Sequence, residues 1–495
     1  MTSASIPSDR VLLALASALG LGYLALYVGV ACSRLTYPYE LEWFEGTSVE
    51  LVRRILEGKS IYVAPSIDFI PHLYAPFYFY AGAALSPWLG AGFLPLRVLS
   101  FASSLGCFAL IFALTRRETA CWSCSLLAAG MFAACFRLSG AWYDIARVDS
   151  LALLFLLGSI LLFRSRPTLG GSFGAGLLGL LAFFTKQNAL PMLAALSLYG
   201  LYAARGVARV ALPVTLVVGI FVGTAILDHA TGGWFSYYTF KIPGQGSLPS
   251  QIRWLLLFWV KDIPKVAPLV LASAFWVVSR SRSGAVDSLA FFAPLFFAAV
   301  FSSWSARIHA GGYDNALIPL DAWLAIGAGM VTHALAHSPG VERSAVGAVT
   351  CALAIAQLAM LGYDPRAQVP TAADVAAGDR IVEALRRLPG DVLVPHHPYL
   401  AVLAGKPAHG HLDLVNTIPR GTAAREALDR EIVDAIHDQR FDAVVLDRRK
   451  DRYYRRPLTP DLGEHYEYRG SLIDGDAFWP VTGLATRPQD LYVRR

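Results

Sequence analysis

Two carboxylates, Glu42 and Glu45, stand three residues apart in "YPYELEWFEG", and Glu40 and Glu50 flank them. The stretch follows directly on an apolar run, where carboxylates are poorly solvated and need a reason to be present. Other groups of the same kind recur at the ends of apolar runs. They are Asp144, Arg147 and Asp149 together, Lys186 between two runs, and Arg307 with His309 before a glycine pair. His72 and Tyr74 lie in a proline- and aromatic-rich stretch. A carboxylate can act as general base toward a hydroxyl. Lysine and arginine can grip a phosphate and stabilise the charge it gains as a leaving group. A base beside a phosphate clamp, open to lipid, suits transfer from a lipid-phosphate donor to a hydroxyl acceptor. The bland reading is that each charge snorkels or pairs structurally.

Composition says what must position these residues. The 495-residue chain is 55% hydrophobic and 16% charged, against about 25% charged in soluble domains, and its mean hydropathy is +0.48. Eleven apolar segments, near 11–31, 95–115, 119–139, 150–164, 172–185, 189–204, 208–228, 263–279, 286–304, 315–334 and 344–362, read as membrane spans. The shorter ones must lean on neighbours or line a cavity. The net charge of +6 is not a nucleic-acid signature, because the basic residues of the apolar part cluster in short loops. Arg116-Arg117, Arg164 with Arg166, Arg205 with Arg209, and Arg280 with Arg282 fall on one side if the N-terminus is there too, and that side is the cytoplasm. The run from Val11 to Ala31 is too long for a cleaved signal and reads as a retained first helix. Six cysteines, mostly in or beside spans and including Cys121 and Cys124 at CxxC spacing, read as packing residues.

The opposite side then receives loop 32–94, the turns carrying Asp144 to Asp149, Lys186 and Arg307, and everything from Tyr363 onward. Thr47 to Glu50 has capping-box spacing ahead of Val49, Val52 and Leu56, which predicts a short surface helix with Gly58 as its stop. Glu50 is then the box partner and Glu40 a solvated loop residue. A second surface helix is expected over Tyr74 to Gly90. After residue 363 charges become frequent. "GDRIVEALRRLPG" and "AREALDREIVDAIHDQ" read as helices and "DVLVP" and "FDAVVLD" as strands, a small α/β domain. It has no glycine-rich phosphate loop. His396-His397 and His409 with His411 have no carboxylate or cysteine at a fixed metal-site offset.

The order of these motifs resembles the GT-C glycosyltransferases, the class of protein O-mannosyltransferases and aminoarabinose transferases. The matches are Glu42-Trp43-Phe44-Glu45 followed by "RILEGKSIY", then "PHLYAPFYFY", Arg147-Val148-Asp149 before an apolar run, "FFTKQNALP", and "ARIHAGGYDNALIPL", over about residues 10–335. Many members read Asp-Glu in the first motif. Here the acids are three apart, so Glu42 and Glu45 both stand as candidate base, Glu42 first.

The resemblance implies a polytopic all-α membrane domain of about eleven helices over 1–362, with surface helices in loop 32–94, and an extracytoplasmic α/β domain over 363–495. It implies an inverting transferase in a bacterial-type inner membrane. The donor would be a polyprenyl-phosphate-linked sugar and the acceptor a hydroxyl of a glycan, lipid or protein. Arg147 and Lys186 are the first candidates for the donor phosphate, and Arg307 and His309 the next. Asp144 and Asp149 orient those cations, or bind a divalent cation with Glu42. His72 and Tyr74 contact acceptor or phosphate. Trp43 and Phe44 anchor the loop or stack on sugar, and Asn315 caps the helix that begins there. A transporter or lipid flippase with a charged cavity is the alternative. It expects paired internal repeats, and none stands out. A non-catalytic scaffold is a second alternative, and it would tolerate replacement of both acids.

Overall fold

In the computed structural model, residues 8–245, 252–282, 286–309, 311–336, 343–449 and 461–495 are described. Every apolar segment expected from the sequence forms a helix. The first nine helices are α1 (Ser8–Arg34), α2 (Glu45–Leu56), α3 (Phe77–Leu89), α4 (Phe93–Thr119), α5 (Trp122–Ala134), α6 (Asp149–Ser165), α7 (Leu169–Thr185), α8 (Leu190–Ala203) and α9 (Ala208–Thr231). Four more apolar helices follow, Ala267–Arg282, Val286–Ile308, Ile318–Ala336 and Arg343–Met360. Among the described residues, five helices are long and apolar enough to cross a membrane alone. The side chains of Arg280 and Arg282 lie outside the described set.

The short helices survive by leaning on others. Helix α5 has 13 residues and packs on α1, α4 and Ile318–Ala336. Its contact with α1 is backbone on backbone. A Cβ on Gly130 would sit 2.2 Å from the Gly20 Cα, so only glycine allows that approach. Helix Ile318–Ala336 lies at the centre of the bundle, buried along nearly its whole length. A helix apolar on every side belongs inside a bundle.

Helices α2 and α3 form in the first long loop as expected, but the cap of α2 differs. The helix begins at Glu45, so Thr47 is already inside it, and the Thr47 hydroxyl donates to the Phe44 carbonyl. Glu50 pairs with Arg53 at 2.8 Å instead of closing a capping box. Glu40 supplies the cap: its Oε1 accepts from the Gly46 amide at 3.0 Å. A carboxylate is favoured at this end of a helix, where free amides point outward.

The region after residue 363 holds a four-stranded sheet in the order β1 (Val392–Leu393), β2 (Ala443–Arg449), β4 (Thr486–Arg494), β3 (Tyr466–Ser471). Strands β1 and β2 are parallel, and the other pairings are antiparallel. Helices Ala372–Arg387 and Ala423–His437 pack with it, the first opened by a Thr371–Asp374 capping box. This region shares its apolar clusters with the first loop. Tyr39 packs edge-on to Phe478 at 5.2 Å, and the Gly410 amide donates to the Ile67 carbonyl at 2.7 Å.

Candidate functional site

Glu42 and Glu45 are both fully buried, with opposite surroundings. Glu45 accepts four hydrogen bonds. Arg97 grips it through Nε at 3.0 Å and Nη2 at 2.7 Å, and the Ala146 and Leu41 amides add bonds at 2.7 and 2.6 Å. Burial would raise its pKa, but Arg97 and the two amides outweigh burial and hold it below the usual carboxylate range. Neither oxygen of Glu42 reaches a hydrogen-bond partner of normal geometry. Arg147 Nη1 stands 3.7 Å from its Oε2. Burial pushes the Glu42 carboxyl up to about 8, against the pull of Arg147, and Glu45 and Glu40 push it further in the same direction. Glu45 is therefore held as a clamp for the loop, while the Glu42 oxygens are left without hydrogen-bond partners.

Arg147 is equally under-used. It lies over the Trp142 ring at 4.7 Å and donates to the Tyr74 hydroxyl at 3.3 Å, while Nε and Nη1 have no hydrogen-bond partner. Its position follows from α6, whose first residue is Asp149. Asp149 accepts from Lys186 Nζ at 2.6 Å and from Asn315 Nδ2 at 3.0 Å, and its second oxygen is buried and unpartnered. Lys186 ends α7 and faces the Tyr74 ring at 5.6 Å. His72 stacks on Tyr74 at 4.8 Å, and its Nε2 is buried without a partner. Burial and the nearby Arg147 lower its pKa well below the ordinary value, so the ring is neutral. Glu42, Arg147, Tyr74, His72, Lys186 and Asp149 thus make one connected cluster.

Other expected members lie elsewhere. Asp144 does not orient Arg147 or Lys186. It is held by Arg34 of α1 through two hydrogen bonds of 2.8 and 2.6 Å. Asp144, Asp149 and Glu42 each have a different cation beside them and do not form one donor set for a divalent ion. Arg307 is spent on Asp262 at 2.8 Å, Asp314 at 3.0 Å and the Gly312 carbonyl at 2.8 Å. That leaves it poorly placed to take a phosphate. His309 is exposed and makes no side-chain hydrogen bond or ion pair among the described residues. Asn315 serves Asp149, and the short helical turn Asp314–Leu317 starts without a side-chain cap.

Several partners were not foreseen. Glu40 is no solvated residue. Its carboxylate hydrogen-bonds His397 Nδ1, and His397 Nε2 lies 3.0 Å from Asp447. Residues 481–483 form a wall of the site. The Thr482 amide donates to the Leu41 carbonyl at 3.2 Å, its hydroxyl donates to the Gly140 carbonyl, and Glu42 pairs with Thr482 as an isolated bridge. Gly483 has φ +80°, and a Cβ there would stand 2.3 Å from the Trp43 ring and 2.9 Å from Glu42 Cγ. Trp43 packs against Trp142 and Tyr313, while Phe44 stacks on His411 at 4.3 Å. The aromatic pair is thus built into the wall between the first loop and the C-terminal region.

No family model matches the sequence, and no curated protein matches it. Solved structures do match in fold. Two are ArnT from Cupriavidus metallidurans, in the apo state and bound to undecaprenyl phosphate. Each has a TM-score of 0.54 and 12% identity, covering 95% of this chain and 98% of the other. The likeness to GT-C proteins read from short motifs therefore extends to the architecture: over nearly its whole length, this chain has the fold of ArnT.

Proposed function

We propose that the chain is an integral membrane glycosyltransferase that moves a sugar from a polyprenyl-phosphate donor to a hydroxyl acceptor. The observation that carries this reading is Glu42, a buried carboxylate whose two oxygens lack hydrogen-bond partners, 3.7 Å from an arginine with two nitrogens that lack them too. Buried polar groups are ordinarily satisfied, so such a pair is one that awaits a ligand. The undecaprenyl phosphate bound to ArnT supplies the class of that ligand.

In this reaction Glu42 takes the proton of the acceptor hydroxyl as its oxygen attacks the anomeric carbon. The bond from that carbon to the phosphate oxygen breaks, and the electron pair leaves with the polyprenyl phosphate. A single displacement of this kind inverts the anomeric centre. Arg147 meets the phosphate with Nε and Nη1. Lys186 keeps one of its three donors on Asp149 and offers the other two. Both cations stabilise charge that grows on the leaving group. The site opens on the extracytoplasmic side of a bacterial-type inner membrane, with the N-terminus in the cytoplasm.

The test is a density map with undecaprenyl phosphate, wild type beside Glu42→Gln, together with turnover on a panel of labelled polyprenyl-phosphate sugars. Phosphate density should lie on Arg147 and Lys186 facing residue 42. Glu42→Gln should keep the lipid and lose about 10²- to 10⁴-fold in turnover. Unchanged turnover in Glu42→Gln would remove Glu42 as base. No bound lipid, with the same side chains along a path open to both sides, would make the chain a transporter.

A further inference from the structure

The histidines of "HHPYLAVLAGKPAHGH" do not share one fate. His397 has its two ring nitrogens against Glu40 and Asp447, and His409 has its two against Asp68 and Asp391. His411 differs. It is 2% exposed, and its Nε2 donates to the Trp43 carbonyl at 3.2 Å. That bond fixes the proton on Nε2 and leaves Nδ1 with a free lone pair, buried and without a partner. The ring cannot turn freely to solve this, because Phe44 stacks on it at 4.3 Å and 18°.

Two further potential ligands lie close to that ring. Ligand atoms of His396, His411 and Asp413 all lie within 4.8 Å of one another. His396 Nδ1 and Asp413 Oδ1 are 3.3 Å apart. A tetrahedral zinc site with bonds of ~2.0 Å has ligand-to-ligand edges of about 3.3 Å, so one edge already has the right length. We propose that His396, His411 and Asp413 bind one divalent transition-metal ion, of which zinc is the expected occupant. Two imidazoles and one carboxylate suit zinc better than magnesium or calcium. Three protein ligands leave a fourth position for water or a ligand group. Donation of the second ring nitrogen to a backbone carbonyl is how metal-bound histidines are held in the right tautomer. Here the carbonyl belongs to Trp43, next to Glu42. The ion would tie the C-terminal region to that loop, and its binding does not depend on the transferase reading.

The full-length protein in detergent, stripped with a chelator, reloaded with zinc and dialysed, should hold about one zinc per chain by elemental analysis. Its melting temperature should rise on loading, since a ligand that binds only the folded state stabilises it. His396→Ala and Asp413→Asn alter partly exposed side chains. Both should melt near the metal-free wild type, hold no zinc and show no rise. Wild type without zinc overturns the proposal. So does zinc retained by both variants, or zinc lost only from Cys121→Ser, which would move the metal to the cluster of Cys121, Cys124 and His333.

Discussion

Glu42 and Glu45 are the same side chain three residues apart, and their neighbours drive them in opposite directions. Arg97 and two amides keep Glu45 ionised. Burial keeps Glu42 protonated until about pH 8. A base must be ionised to work, so turnover at low substrate should rise tenfold per pH unit below about 8 and level off above it. A rate profile from pH 6 to 9.5 checks this, and the rising limb should vanish in Glu42→Gln. A profile flat through pH 8 in wild type would mean that another group takes the proton. The sequence brought both acids forward and left the choice between them open, because the choice is made by Arg97, a residue about fifty positions away in another helix. Arg307 shows the converse. Its place before a glycine turn made it look like a phosphate ligand, but Asp262 and Asp314 already consume it.

At the level of elements, the apolar helices were legible because hydropathy is a sum over many residues and tolerates local noise. The sheet was half legible. Strand β1 and the first half of β2 are apolar and buried, but β3 is mostly polar and β4 carries Pro488. Proline normally argues against a strand paired on both sides. The chain accommodates it at the register shift after Leu446, where Asp447 faces Pro488. The turn before β4 was equally hidden, and it bears on the site through Gly483. Gly483→Ala puts a methyl 2.3 Å from the Trp43 ring at φ +80°. The left-handed backbone costs roughly 1–2 kcal/mol for a residue with a Cβ, and overpacking adds roughly 1–3 kcal/mol. We expect a melting temperature several degrees lower and a turnover loss of at least about tenfold, because the displaced wall carries Glu42 with it. Wild-type turnover in Gly483→Ala would show that this wall does not position the carboxylate.

For the molecule as a whole, the first loop and the C-terminal region are joined through one buried charged group, Glu40–His397–Asp447. Burial alone would lower the His397 pKa, but Asp447 and Glu40 push it up to about 10. Its contribution to stability is therefore fully present below the unfolded value near 6.5 and is lost as pH rises through about 10. His397→Ala leaves two buried carboxylates without their cation, which costs on the order of 3 kcal/mol. The variant should melt well below wild type at pH 7, with the gap narrowing toward pH 10. A gap that stays constant over that range would mean the ring acts by packing alone. The bridge between Glu42 and Thr482 carries the same union into the site. Residue 482 follows every helix in the chain, so the ribosome makes it after all the other groups of the cluster. The carboxylate cannot reach these surroundings before residue 482 has been made. A nascent chain whose helices have all formed still lacks this contact, and the cluster is closed only when strands that follow every helix fold back onto the first loop.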